Sequence, residues 1–261
     1  MEALGRNRHR IEALGAGQID AQLGAVSLRL AADAEDMQSV ARLRAVRFRG
    51  NLSVGDLDRF DPLCSHLLVL RTSDATPLGT ARFRVLSSED EIRTCYSAQF
   101  YDLSALAESG LRLMEIGRIC MRAGHAQETD IPRALLAGLT RAAQAMQADL
   151  LMGCASFDGA SPEDHIAAMR YLRARHVGPG ALRPAKGPYE TFDLDTITDP
   201  AQPEDQRHVP ALLRLYLAMG GWVSDHAVCD RDLDTLHVFT AVEVRAIPPA
   251  RLRALQMLAQ G

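Results

Sequence analysis

The sequence predicts an α/β fold: a mixed, mostly antiparallel central sheet flanked by helices, closed by a C-terminal helix–strand extension. Three observations predict it. Short apolar segments at 65–71 and 78–85 flank a Ser-Asp-Ala-Thr-Pro turn and read as an antiparallel hairpin. Residues 112–175 alternate strand, helix, strand and helix, which implies one parallel pair with a right-handed crossover. Apolar residues make up 47% of 261 positions, enough core for one large domain.

In chain order, residues 1–25 carry charge without the apolar centre of a signal peptide and are expected to be a mobile lead-in. Residues 26–31 alternate as a first strand. Residues 34–48 place Met37, Val40, Ala41, Leu43 and Val46 at helical spacing, with Asp33 or Asp36 as the cap. A polar segment with Gly50, Gly55, Asp56, Asp58 and Asp61 leads to the hairpin. Residues 87–109 are polar and irregular, and a buried strand follows at 112–121. Asp130 before Pro132 opens the clearest helix, 131–147. Another buried strand spans 150–156, and Ser161 opens a helix over 162–175. After a Gly/Pro-rich break at 178–188 come a segment at 189–194, a polar linker, a helix at 209–219, a strand at 236–244 and a short helix from Pro249. Residues 26–261 are read as one domain, with the extension beginning near 199.

Composition removes several classes of function. The net charge of −4 gives no electrostatic footprint for nucleic acid. Of 29 basic residues only Lys186 is lysine, and arginine suits carboxylate and phosphate contacts. The five cysteines are scattered, odd in number and mostly set in apolar runs, which predicts core thiols in a reducing, cytoplasmic setting. No apolar run approaches the roughly 20 residues of a membrane span. His and Cys show no zinc spacing, and Asp230-Arg-Asp-Leu-Asp234 lacks the glycine and closing glutamate of a calcium loop, so no metal site is expected. Residues 153–159 do not form a nucleophile elbow, which leaves Ser156 a poor nucleophile.

The informative segment is Arg112-Leu-Met-Glu-Ile-Gly-Arg-Ile-Cys-Met-Arg122. Charges inside a core strand are costly unless paired or used. Strict alternation turns Glu115 and Arg118 to opposite faces, unless a bulge near Gly117 brings them together. A structural ion pair is the plainer account of these charges. The glycine favours a site, because it marks close approach of a backbone or ligand. The loop 122–130, with Arg122 and His125, runs with Arg133 into a helix N-terminus, a place for an anion or simply a solvated loop. Asp56, Asp58 and Asp61 serve either as turn residues or as receptors for a cation. Arg170, Arg173, Arg175, His176, Arg183 and Lys186 read as a solvated face that also suits an acidic partner or anionic lipid.

On these residues the chain resembles the ornithine-lipid N-acyltransferases, GNAT-like enzymes related to the acyl-homoserine-lactone synthases. The resemblance spans roughly 27–245 and rests on Phe60-Asp61, Glu115-Ile-Gly-Arg118, Gly153-Cys-Ala-Ser-Phe157 and Tyr216-Leu-Ala-Met-Gly-Gly-Trp-Val223. It implies transfer of a 3-hydroxyacyl group from acyl carrier protein to the α-amine of L-ornithine. No permanently bound cofactor is implied; the acyl-phosphopantetheine of the carrier protein is the donor. The Gln/Arg-x-x-Gly-x-Gly/Ala loop of acetyl-CoA-using relatives is missing at Arg122-Ala-Gly-His-Ala-Gln, which fits a donor without a nucleotide.

In this reading Glu115 is the base and Arg118 orients strand or substrate, with Asp58, Asp61, Arg47, Gly117, Ile119 and Ser156 on the substrate side. Asp58 or Asp61 holds the cationic side chain of ornithine. Arg122, His125 and Arg133 face the pantetheine phosphate or the carrier protein. Transient contact with the inner membrane surface is expected from a singly acylated product. Other readings are the same chemistry on glutamine or another amino acid, a lactone-synthase-like enzyme, and a non-catalytic module that binds acylated carrier protein.

Overall fold

Gly24, at φ +55°, turns the chain between β1 (Ala21–Leu23) and β2 (Val26–Leu30), which pair antiparallel. The computed structural model describes residues 19–50, 55–122 and 129–260. Residues 21–23, expected in the lead-in, are thus part of the sheet. A glycine supplies the positive φ that such a tight turn requires.

Helix α1 (Ala34–Arg49) starts where the Asp33 carboxylate accepts the Asp36 N–H at 2.9 Å and stops at Gly50, φ +69°. The expected hairpin is β3 (Ser65–Arg71) and β4 (Pro77–Leu86), antiparallel from Ser65↔Phe83 to Leu70↔Pro77. Its turn is held by the Asp74 carboxylate, which accepts the Thr76 N–H at 3.0 Å. The segment 87–109, expected to be irregular, contains α2 (Glu89–Arg93), capped by Ser88, β5 (Tyr101–Asp102) and α3 (Ser104–Ala107).

The central strand is β6 (Leu113–Met121), followed by α4 (Asp130–Ala145) and β7 (Leu150–Asp158). Pro162–His165 forms a 3-10 turn rather than the first turn of a helix, so α5 runs only over Ile166–Arg175. Then come β8 (Ala185–Lys186), which pairs with β5, β9 (Thr191–Asp193), α6 (Ala211–Ala218), β10 (Trp222–Asp230), β11 (Thr235–Glu243) and α7 (Pro249–Gln260). Strand β10 was not expected from the sequence. It buries Ser224, His226 and Asp230, and its register shifts between Val223 and Ala227, so its pattern does not alternate. The Ser224 hydroxyl donates to the His226 carbonyl at 2.6 Å, which satisfies one of those buried groups locally.

The chain divides into two compact units, the boundary in β6 falling between Glu115 and Ile116. One unit comprises Met1–Val85, Ile116–Gln147 and Pro249–Gly261. In it β1, β2, β3 and β4 lie in that order, and α4 packs on β1, β2, β3 and α7. Gly138 permits this packing, because a Cβ there would lie 2.5 Å from Leu28 Cδ2 and 3.1 Å from Leu67 Cδ1.

The other unit comprises Leu86–Glu115 and Ala148–Pro248, with strand order β6, β7, β11, β10, β9. Leu113, Met114 and Glu115 pair in parallel with Leu150, Leu151 and Met152, the expected parallel ladder. Strands β7 and β11 pair antiparallel along their whole length. One core cluster gathers Phe100, Tyr101, Leu106, Leu113, Leu150 and Phe239; another gathers Met169, Leu172, Leu213, Val223, Ala227 and Val238.

Candidate active site

Leu113 and Met114 are fully buried, and Glu115 follows them with only 6% of its surface exposed. A carboxylate taken out of water needs donors, and the turn at 96–97 provides them. Glu115 Oε1 accepts the Ser97 N–H and the Ser97 hydroxyl, both at 2.7 Å, and Oε2 accepts the Tyr96 N–H at 3.1 Å. The Cys154 thiol of β7 donates towards Ser97 Oγ at 3.7 Å. The neighbouring Cys95 thiol is pushed well above its ordinary value, first by burial and then by the charge of Glu115.

Past Gly117 the strand pattern breaks at Arg118, whose φ is +51°. The irregularity expected near Gly117 therefore falls one residue later, at a non-glycine residue in a sparsely populated conformation. A Cβ at Gly117 would meet nothing within 4 Å among the described residues. Among the described residues, close approach of backbone does not account for this glycine, and the space beside it is open.

Arg118 enters a cluster of arginines and aspartates. Its Nη2 lies 3.3 Å from Asp58 Oδ2, and its guanidinium sits over the Phe48 ring, 5.2 Å from the centroid. Arg44, fully buried in α1, reaches Asp56 through Nε at 3.0 Å and Asp61 through Nη1 at 2.7 Å. Arg82 on β4 reaches Asp58 at 2.7 Å and Asp61 at 2.8 Å, and Arg49 reaches Asp56 at 3.2 Å. Asp61 Oδ2 also accepts the Asp58 N–H at 2.6 Å. Burial alone pushes the Asp61 carboxyl up, but Arg44 and then Arg82 outweigh it and hold it at about 2. Asp58 is held low in the same way, burial being opposed by Arg82.

This arrangement gives Asp61 a different task from the receptor role that the resemblance implies. Asp61 is 5% exposed and already serves two arginines, so no substrate cation reaches it. The Asp58 side chain, 23% exposed, is the open acid of the three. Among the described residues, the ion pairs of this cluster join Arg44, Arg49, Arg82 and Arg118 to Asp56, Asp58 and Asp61.

The remaining expected residues are scattered. Arg47 is exposed on α1, Ile119 is half-buried on β6, and Ser156 is exposed on β7 opposite His237 in register. Arg122 has an exposed side chain and donates its N–H to the Leu78 carbonyl at 2.8 Å. Arg133 is exposed and pairs with Asp130 at 3.5 Å, placing a carboxylate in the first turn of α4 where a phosphate was expected. His125 lies outside the described residues. In the basic stretch 170–186, Arg170 clamps Asp205 through two 2.8 Å bonds, Arg183 meets Asp225 at 2.9 Å and Lys186 meets Asp193 at 2.6 Å. These cations are engaged within the protein rather than presented bare to an acidic surface.

Sequence reasoning missed Arg44, Arg82, Ser97 and the buried contact between the Tyr101 hydroxyl and His237 Nδ1 at 3.0 Å. The signal for Arg82 was present in Gly79-Thr-Ala-Arg-Phe-Arg84, a run of charges within a buried strand like that of β6.

Residues 44–135 match the acetyltransferase (GNAT) domain family. The fold resembles that of an N-acyl amino acid synthase from uncultured soil microbes, with TM-score 0.50 and 11% identity over 90% of this chain and 97% of that one. The matched segment and the fold are those of the GNAT class. Two relatives narrow this further: the L-ornithine N(alpha)-acyltransferase of Rhodobacter capsulatus, 29% identical over 84% of this chain and 90% of the relative, and that of Rhizobium meliloti, 30% identical over 74% and 68%. The chain belongs to the L-ornithine N(alpha)-acyltransferase family.

Proposed function

We propose that this protein transfers a 3-hydroxyacyl group from the phosphopantetheine thioester of acyl carrier protein to the α-amine of L-ornithine, giving lyso-ornithine lipid. The observation that carries the reading is the similarity to L-ornithine N(alpha)-acyltransferases along most of the chain. Two features support thioester aminolysis at β6: a buried, firmly held carboxylate at Glu115 and open space beside Gly117.

The step balances without a covalent enzyme intermediate. The amine nitrogen attacks the thioester carbonyl, the carbon–sulfur bond breaks, and the thiol leaves with a proton that the amine has shed. Glu115 takes that proton from the attacking nitrogen, directly or through water, and returns it to the departing thiolate, which resets the base. Backbone N–H groups near 117–119 stabilise the oxyanion, and Arg118 orients the strand. Asp58 is the acid offered to the δ-ammonium of ornithine. Arg122, Arg133 and His125 meet the carrier protein, and the single acyl chain of the product draws the enzyme briefly to the membrane surface. Among the described residues no helix is long and apolar enough to cross a membrane.

The test is release of free thiol from 3-hydroxyacyl carrier protein in the presence of each of a panel of amino acids. Ornithine-dependent release supports the reading. Release with glutamine but not ornithine moves the acceptor, and binding of the donor without release under any acceptor ends the enzymatic account.

A further inference from the structure

Arg84 is a cation that the acyl-transfer scheme leaves unused. It lies on β4, two residues beyond Arg82, so the two side chains leave the same face of the strand about 7 Å apart. Arg82 spends its charge on Asp58 and Asp61. Arg84 does not have that option: it is 7% exposed, its Nη1 is buried without a hydrogen-bond partner, and no carboxylate among the described residues pairs with it. A buried guanidinium without a counter-charge is costly, and the acids of the adjoining cluster are already paired with Arg44, Arg49, Arg82 and Arg118. The planar fork of arginine matches an oxyanion with two oxygens.

We propose that Arg84 is a receptor for an oxyanion of a bound substrate. The first candidate is the α-carboxylate of the amino-acid acceptor, and the second is the phosphate of the donor's phosphopantetheine. The inference rests on the acyltransferase reading above. It explains why a strand places two arginines on one face and neutralises just one of them. It also gives the site a way to require an amino acid rather than any amine, because an acceptor without a carboxylate leaves Arg84 unpaired.

The experiment compares ornithine with ornithine α-amide, and wild type with Arg84→Gln and Arg84→Lys, following thiol release and, separately, calorimetric titration of ornithine. If the carboxylate is the ligand, wild type prefers ornithine to the amide by at least about tenfold in kcat/KM. Arg84→Gln then loses that preference and binds ornithine at least about tenfold more weakly, with Arg84→Lys in between. If the phosphate is the ligand, the preference survives and KM for the acyl carrier protein rises by a similar factor. Unchanged ornithine binding and unchanged donor KM in a folded Arg84→Gln variant overturn the inference. So does a wild type that uses acid and amide equally with a donor KM indifferent to Arg84→Lys. The titration needs no turnover: a wild type that binds ornithine through Arg84 but acylates nothing retains this inference and loses the acyltransferase reading.

Discussion

Ser97 holds Glu115 twice, through its backbone N–H and its hydroxyl, each 2.7 Å from the same carboxylate oxygen. The acid is therefore fixed by a turn eighteen residues earlier in the chain, and its position depends on that turn as much as on β6. A base held by its own hydrogen bonds pays little entropy to stay aimed.

Glu115→Gln places an amide NH₂ against at least one backbone donor and removes the proton acceptor. Activity is expected to fall by roughly 10²–10⁴, with about 1–3 kcal/mol of stability lost through the mismatched donor. Ser97→Ala keeps the carboxylate and one of its two Ser97 donors, so it is expected to lower kcat by a smaller factor. Steady-state kinetics beside urea denaturation separates the two effects. Near-wild-type turnover in a folded Glu115→Gln protein removes Glu115 as the base.

Asp61→Asn strips a charge from a site where Arg44 is wholly buried. Breaking such a pair from one side leaves an uncompensated cation and is expected to cost about 3–5 kcal/mol. The exposed Arg231–Glu190 pair is the control, and Glu190→Gln is expected to leave stability essentially unchanged. Acid titration adds a second check. The Asp61 carboxyl sits at about 2 against an ordinary 3.8, so its contribution is complete above 3.8 and is lost as pH falls towards 2. That contribution amounts to about 2 kcal/mol. The measurement is chemical denaturation of both variants across that range.

Gly117→Ala introduces a methyl group where no described atom lies within 4 Å. Stability is expected to hold or to rise by a few tenths of a kcal/mol, because the unfolded chain loses freedom. If the thioester lies along this part of β6, kcat/KM for the acyl carrier protein falls at least about tenfold. A fully active, equally stable Gly117→Ala protein places the thioester elsewhere.

His237 is buried beneath Tyr101 and titrates at about 3, held neutral by burial first and then by the charge of His226. The ordinary value is 6.5, so the unfolded chain binds the proton first and stability drops as pH falls below 6.5. The loss reaches about 2 kcal/mol by roughly pH 5. His237→Leu keeps a similar volume, and Tyr101 still donates to the residue 237 carbonyl. Denaturation midpoints at pH 7 and pH 5 are expected to differ less in this variant than in wild type.

What the sequence reveals here follows the range of each interaction. Strands β3 and β4, helix α4 and strand β6 were legible because their signals are local: alternation, a 3.6-residue period, a turn rich in Asp and Pro. Strand β10 was not, because Ser224, His226 and Asp230 are buried in it and break its alternation; Ser224 bonds the His226 carbonyl and Asp230 accepts the Leu233 N–H, so these polar residues read as a turn rather than a strand. The site divides along the same line. Charges within β6 singled out Glu115 and Arg118, and Gly117 read as a point of close approach for a backbone or ligand. Asp61 was read as a receptor for substrate because its true partners, Arg44 and Arg82, stand 17 and 21 residues away and come together only in the fold.

The measurement that bears most directly on the central claim is fragmentation mass spectrometry of the product formed from 3-hydroxyacyl carrier protein and ornithine. The account predicts a single acyl chain in amide linkage to the α-nitrogen, with the δ-amine free. An ornithine ester, a δ-amide, or unmodified ornithine beside hydrolysed donor would contradict it.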